Sequence, residues 1–75
     1  MMVSIFSMPT DSSASSRVSA VLVPHIDRFT AEWSEEPGNV TVLRVQHEES
    51  RGEMLSALLH RAHPRVQHVS SQRAS

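Results

Sequence analysis

Three times in this chain a valine is followed two residues later by a histidine, each time at the end of a strand-like run. The segments are Val23-Pro24-His25, Val45-Gln46-His47 and Val66-Gln67-His68. Three converging imidazoles can bind zinc or another transition metal and leave one position open for water. A helix N-terminus nearby makes an anion such as phosphate an equally suitable ligand. His25, His47 and His68 are therefore a candidate metal or anion site, and the alternative is that histidine simply ends strands here.

Two of these histidines belong to a four-residue repeat. It reads Arg44-Val45-Gln46-His47 and then, 21 residues later, Arg65-Val66-Gln67-His68. That offset is about one strand plus one crossover helix, which predicts a β-α-β-α-β unit with its histidines at the carboxyl edge of a parallel sheet. Strand alternation places valine and histidine on one face, and arginine and glutamine on the other.

The predicted fold is a small two-layer α/β unit with three mostly parallel strands in the order 1-2-3. We expect strands at residues 18–23, 40–46 and 65–70. Ile26, Phe29 and Trp33 recur at helical spacing and predict a helix over residues 25–35, with Trp33 buried against the sheet. A capping box at residues 50–53 predicts a second helix, which ends near residue 62. Residues 1–17 are expected to be a disordered, Ser-rich tail, residues 18–70 the domain, and residues 71–75 a C-terminal tail.

The repeat also predicts a bare polar sheet face, made of Arg44, Gln46, Arg65 and Gln67. A parallel sheet with one uncovered face is unusual, and a core this small contributes only ~3–5 kcal/mol. We therefore expect a partner protein or a second copy of the chain to cover this face. Arg44 and Arg65 on adjacent strands favour an acidic surface or a phosphate, whereas the alternative is a solvated face with both side chains splayed outward.

Composition narrows the range of functions. The chain has 75 residues, a net charge of -1, no cysteine and no lysine. These features disfavour nucleic-acid binding and exclude disulfides, and they fit the cytoplasm or another reducing compartment. No apolar run is long enough to span a membrane, and an organelle-targeting role of the Ser-rich start has only weak support. No serine lies between glycines as in a nucleophile elbow, and no phosphate-binding glycine loop or metalloprotease motif occurs.

These observations favour a small non-catalytic interaction or accessory protein that docks through its Arg/Gln sheet face and needs no cofactor. One alternative is a metal- or anion-binding module that uses the strand-end histidines. Another is a poorly folded or recently born reading frame without a dedicated function, which the strong arginine and serine bias would also suit.

Overall fold

The computed structural model describes residues 1–10 and 12–73 of the chain. Four strands and two helices follow one another in the order β1 (Met2–Pro9), α1 (Ser12–Leu22), β2 (Thr30–Glu36), β3 (Val40–His47), α2 (Gly52–Ala62) and β4 (Gln67–Arg73). A short 3-10 turn, Val23–His25, follows α1, and a second one, Glu49–Arg51, leads into α2.

The four strands form one antiparallel sheet in the order β2-β3-β1-β4. The prediction of three mostly parallel strands is therefore wrong. Since β1 runs antiparallel to both β3 and β4, those two strands point the same way, with β1 inserted between them. The β3-α2-β4 crossover that the repeat predicted is present, but its strands are not neighbours. This split β-α-β-β-α-β arrangement is the ferredoxin-like fold, which hosts many unrelated functions.

Both helices pack on one face of the sheet, because each carries an apolar stripe with helical spacing. Ala14, Val18 and Leu22 of α1 are buried, as are Leu55, Leu59 and Ala62 of α2. The sheet contributes Phe6, Met8, Leu43 and Val45 to the core, and the segments just before β2 and β4 contribute Phe29 and Val66. Within residues 1–10 and 12–73, no helix is long and apolar enough to cross a membrane.

The expected N-terminal tail contains the central strand of the sheet. In β1 the side chains of Ser4, Phe6 and Met8 are buried under the helices, whereas Val3 and Ile5 lie on the other face. This two-residue alternation is the signal of a strand. The run of serines that suggested disorder lies mostly within α1, where Ser13 and Ser16 are exposed. Asp11 of the expected N-terminal tail and residues 74–75 of the expected C-terminal tail lie outside the described residues.

Two further predictions, a strand at 18–23 and a helix at 25–35, are corrected by the structure. Val18 to Leu22 complete α1, because packing against α2 outweighs the few tenths of a kcal/mol by which valine disfavours a helix. Residues 30–36 form the edge strand β2, because Pro37 and Gly38 turn the chain back into a hairpin with β3. Trp33 is consequently 39% exposed on the edge strand instead of buried under it.

The hairpin turn sets the first testable prediction. Gly38 has φ +86°, close to the +80° typical of the third residue of a type II turn. Gly38→Ala should lower the free energy of unfolding by about 1–2 kcal/mol, because an L side chain is strained there. Gly52→Ala is the matched control, since Gly52 has helical φ and its added Cβ would lie 3.6 Å from Cε1 of His47. In urea, the free energy of unfolding of Gly52→Ala should equal that of the wild type or exceed it by up to about 1 kcal/mol. Equal losses of stability in Gly38→Ala and Gly52→Ala would contradict the positive φ of Gly38 in this turn.

Candidate functional site

A cavity of about 310 Å³ lies where the start of α2 meets the ends of β1, β3 and β4. It forms at this place because β1 inserts between the two strands of the repeat. His47 then lies opposite Met2 and His68 opposite Phe6, which puts one histidine on either side of Ser4. Its polar lining comes from Ser4, His47, Glu49, Glu53, Ser56, His68 and Ser71. Ser4 and His47 are only 3% and 2% exposed, so they form its floor.

A continuous chain of hydrogen bonds joins four of these side chains. His47 Nε2 lies 2.6 Å from Ser4 Oγ, and Ser4 Oγ lies 2.9 Å from Ser71 Oγ. Ser71 Oγ lies 2.7 Å from His68 Nε2. At its other end His47 Nδ1 lies 2.7 Å from the backbone carbonyl oxygen of Glu48. These four side chains form what we call the Ser/His relay.

When His47 is neutral, the Glu48 carbonyl fixes the direction of every bond in the relay. A carbonyl oxygen only accepts, so Nδ1 of neutral His47 carries the proton and Nε2 accepts. The hydroxyl of Ser4 must then donate to His47. Ser4 Oγ in turn accepts from the Ser71 hydroxyl, which leaves Nε2–H of His68 to donate to Ser71. Ser4 is therefore held with its proton directed at an unprotonated imidazole nitrogen.

The structure brings together two of the three histidines of the candidate metal or anion site. His47 and His68 line the cavity, and they are joined through Ser4 and Ser71. His25 lies apart in the 3-10 turn after α1, where Phe29 stands between it and His47 with ring centroids 6.1 Å and 6.4 Å away. No group of three His, Cys, Asp or Glu side chains in the described part of the chain is placed to hold a metal ion.

Ser4 and Ser71 are the residues of this site that the sequence did not reveal. Ser4 is 43 positions from His47 and 67 from Ser71, so their contact depends on the sheet order. The available signal was local: Ser4 alternates with Phe6 and Met8 on the buried face of β1, and a buried hydroxyl there needs a hydrogen-bond partner.

The sheet face opposite the helices is the second candidate site, and we call it the open face. Its two central strands, β1 and β3, carry an apolar stripe of half-buried side chains made of Val3, Ile5, Pro9, Val40 and Val42. Ser7 on β1 and Arg44 and Gln46 on β3 interrupt the stripe. Polar side chains flank the stripe. On one side they come from β2 (Thr30, Glu32, Ser34 and Glu36), and on the other from β4 (Gln67, Ser70 and Gln72).

Three of the four residues of the predicted Arg/Gln face lie on the open face. Arg44 is placed between Glu32 on β2 and Ile5 on β1, Gln46 faces Val3, and Gln67 faces Ser7. Arg65 instead lies in the turn before β4. The predicted pair of adjacent arginines does not form, because β1 separates β3 from β4. The residue opposite Arg44 on β2 is the acid Glu32, and opposite charges at such cross-strand positions are favourable.

A third surface feature lies beside the edge strand β2. Val23 and Ile26 are 63% and 77% exposed, and with Trp33 and Phe29 they line a shallow groove of about 340 Å³. This groove is on the helix side of the molecule, so it is separate from the open face.

Comparison of the chain with known proteins adds no relative to this description: no protein-family model matches it, and no curated protein matches it significantly.

Proposed function

We propose that this chain is a small interaction protein that associates with a second copy of itself through the open face. The observation that carries the proposal is the apolar stripe. Its valines and isoleucine lie at the centre of the sheet and remain half-buried, outside the cluster that forms the core. Apolar area in such a position is stabilised when another surface removes it from water.

The open face has the composition of a protein interface. The stripe is uncharged, and it is flanked on both sides by side chains that can hydrogen-bond or remain solvated. An apolar centre with a polar rim is the usual organisation of a protein–protein contact. Arg44 on the interior strand β3, with Glu32 opposite it on β2, offers both signs of charge instead of a uniformly basic surface. An acidic partner is therefore favoured less than the sequence suggested.

The size of the face also fits a dimer. The two longest dimensions of the molecule are 31 Å and 24 Å, and the third is only 17 Å, as expected for one sheet under one layer of helices. A surface with the two longer dimensions is close to the roughly 800 Å² that each partner contributes to a standard interface. One complete open face packed on another would satisfy that requirement.

Self-association follows from the symmetry of such a contact. In a two-fold dimer the same patch is used by both copies, so the patch must be complementary to itself. The apolar stripe meets this condition, because the apolar side chains of one copy can pack against the same side chains of the other without charge repulsion. Glu36 and Arg44 add opposite charges at different heights of the same face, so each copy can offer an acid to the other's arginine.

The experiment is sedimentation velocity of the wild-type chain at concentrations up to about 100 μM, where a micromolar dimer is almost fully assembled. The wild type should sediment as a dimer. Val3→Glu combined with Val42→Glu should weaken the dimer by at least about 100-fold, because the residues opposite these positions, Gln46 and Ser7, carry no charge and each interface would then bury unpaired carboxylates. Circular dichroism should show that the helix content of the double variant is unchanged.

Ile26→Glu is the matched control, since it introduces the same charge on an exposed apolar residue of the groove. It should leave the dimer intact. A monomeric wild type would reject self-association and leave the open face to a different protein. A dimer that dissociates in the control but survives the double variant would place the interface at the groove.

A further inference from the structure

The Ser/His relay contains the arrangement that activates a serine for nucleophilic attack. Such activation requires a base within about 2.6–3.2 Å of the hydroxyl and a third group that orients the base. His47 Nε2 meets the first condition at 2.6 Å, and the Glu48 carbonyl meets the second at 2.7 Å. Catalysis also requires space for a substrate beside the hydroxyl, and the 310 Å³ cavity that Ser4 and His47 both line provides it.

We propose that Ser4 is a nucleophile and His47 its general base, in a site that transfers the acyl group of small esters. The site lies on the helix side of the sheet, so it is independent of the open face and of the dimer. Ser71 is a positioning residue: its hydroxyl donates to Ser4 Oγ and so stabilises the negative charge that develops there as the proton leaves.

The rest of the lining selects the class of ester. Glu49 and Glu53 stand at the cavity wall, and Arg73 lies 3.3 Å from Glu49. Two carboxylates against one arginine favour neutral or cationic substrates and repel an anionic acyl group. Gly52 leaves room beside the imidazole, because even a Cβ added there would remain 3.6 Å from Cε1 of His47.

The reaction has two balanced steps. In the first, Ser4 Oγ bonds to the ester carbonyl carbon while its proton passes to His47 Nε2. The carbon–oxygen bond to the alcohol then breaks, and the departing alkoxide takes the proton from His47. In the second step, a water molecule gives a proton to His47 and attacks the acyl-serine. The acid is released and the proton returns to Ser4 Oγ.

The test combines a fluorophosphonate probe with p-nitrophenyl acetate, both applied to the folded wild-type chain. Peptide mapping by mass spectrometry should find one probe adduct on Ser4, formed with loss of fluoride. Hydrolysis of p-nitrophenyl acetate should be faster than that of the anionic p-nitrophenyl succinate. Ser4→Ala should abolish both adduct and turnover, and His47→Gln should slow them by roughly 100- to 10,000-fold. Ser7→Ala, on the opposite face of the same strand, is the matched control and should react like the wild type.

The wild-type adduct decides the matter even if a variant fails to fold. A folded wild type that carries no adduct on Ser4 overturns the proposal, and so does turnover that persists unchanged in Ser4→Ala. Ser71→Ala separates positioning from a general packing effect. It should lower the rate of Ser4 labelling while the circular dichroism spectrum remains that of the wild type.

Discussion

Replacing Phe6 with alanine should unfold the protein. Phe6 is 1% exposed on the central strand β1, where its ring lies 5.2 Å from that of His68. Truncation of a buried phenylalanine costs about 3–5 kcal/mol. A core of this size supplies only ~3–5 kcal/mol in total, so the folded state should no longer dominate. Circular dichroism and urea titration would show the loss of the cooperative transition.

The same experiment tells a central strand from an N-terminal tail. If residues 2–9 were disordered, Phe6→Ala would change the unfolding free energy by a few tenths of a kcal/mol at most. Val69→Ala is the matched control, because Val69 is an apolar residue of the neighbouring strand β4 that is 60% exposed. It should unfold at nearly the wild-type urea concentration. Similar stability of Phe6→Ala and Val69→Ala would contradict the placement of residues 2–9 as a central strand.

Strand β3 and helix α2 follow their sequence closely because their signals are local. Strand β3 is Val40–His47 where residues 40–46 were expected, and α2 ends at Ala62 as its spacing indicates. In both repeats the valine is buried, and the histidine lies on the helix side, as alternation predicts. Each of these features depends on residues within one strand or helix, and side-chain periodicity reports them directly. The bounds of the third strand are wrong, since β4 is Gln67–Arg73 where residues 65–70 were expected, and it takes in residues 71–73 of the expected C-terminal tail. The predicted capping box makes no side-chain hydrogen bond at the start of α2.

The sheet order could not be read from the same signals. A crossover between two parallel strands looks identical in sequence whether or not a third strand lies between them. The strand that separates β3 from β4 comes from residues 2–9, about forty positions earlier in the chain than its partners on β3. Consecutive strands are neighbours in only about two-thirds of cases, and this fold is among the exceptions.

The composition of the candidate sites also depends on the sheet order. His47 and His68 were identified by spacing, but their connection through Ser4 and Ser71 depends on β1 lying between their strands. The predicted pair Arg44 and Arg65 fails for the same reason. What the sequence did convey is that one sheet face carries Arg44, Gln46 and Gln67 away from the helices, because that statement rests on alternation alone.

Residues 18–22 offer the sharpest test of the first half of the fold. In a strand, Val18, Ala20 and Leu22 would share one face. In α1, Val18 and Leu22 are buried, whereas Ala20 is exposed. The helix therefore predicts that asparagine destabilises the protein strongly at Val18 and only slightly at Ala20.

Val18→Asn should unfold the chain, because it removes a fully buried valine and leaves an amide without a hydrogen-bond partner, a combined cost of about 3–5 kcal/mol. Ala20→Asn should cost about 0.7 kcal/mol, which is the difference in helix propensity alone. Urea unfolding of the two variants beside the wild type measures both values. Comparable losses of stability at both positions would support a strand at residues 18–22. The buried side chains of α2 would then need a different packing partner. The expected difference means that packing between α1 and α2, and not the valine content of this segment, decides its structure.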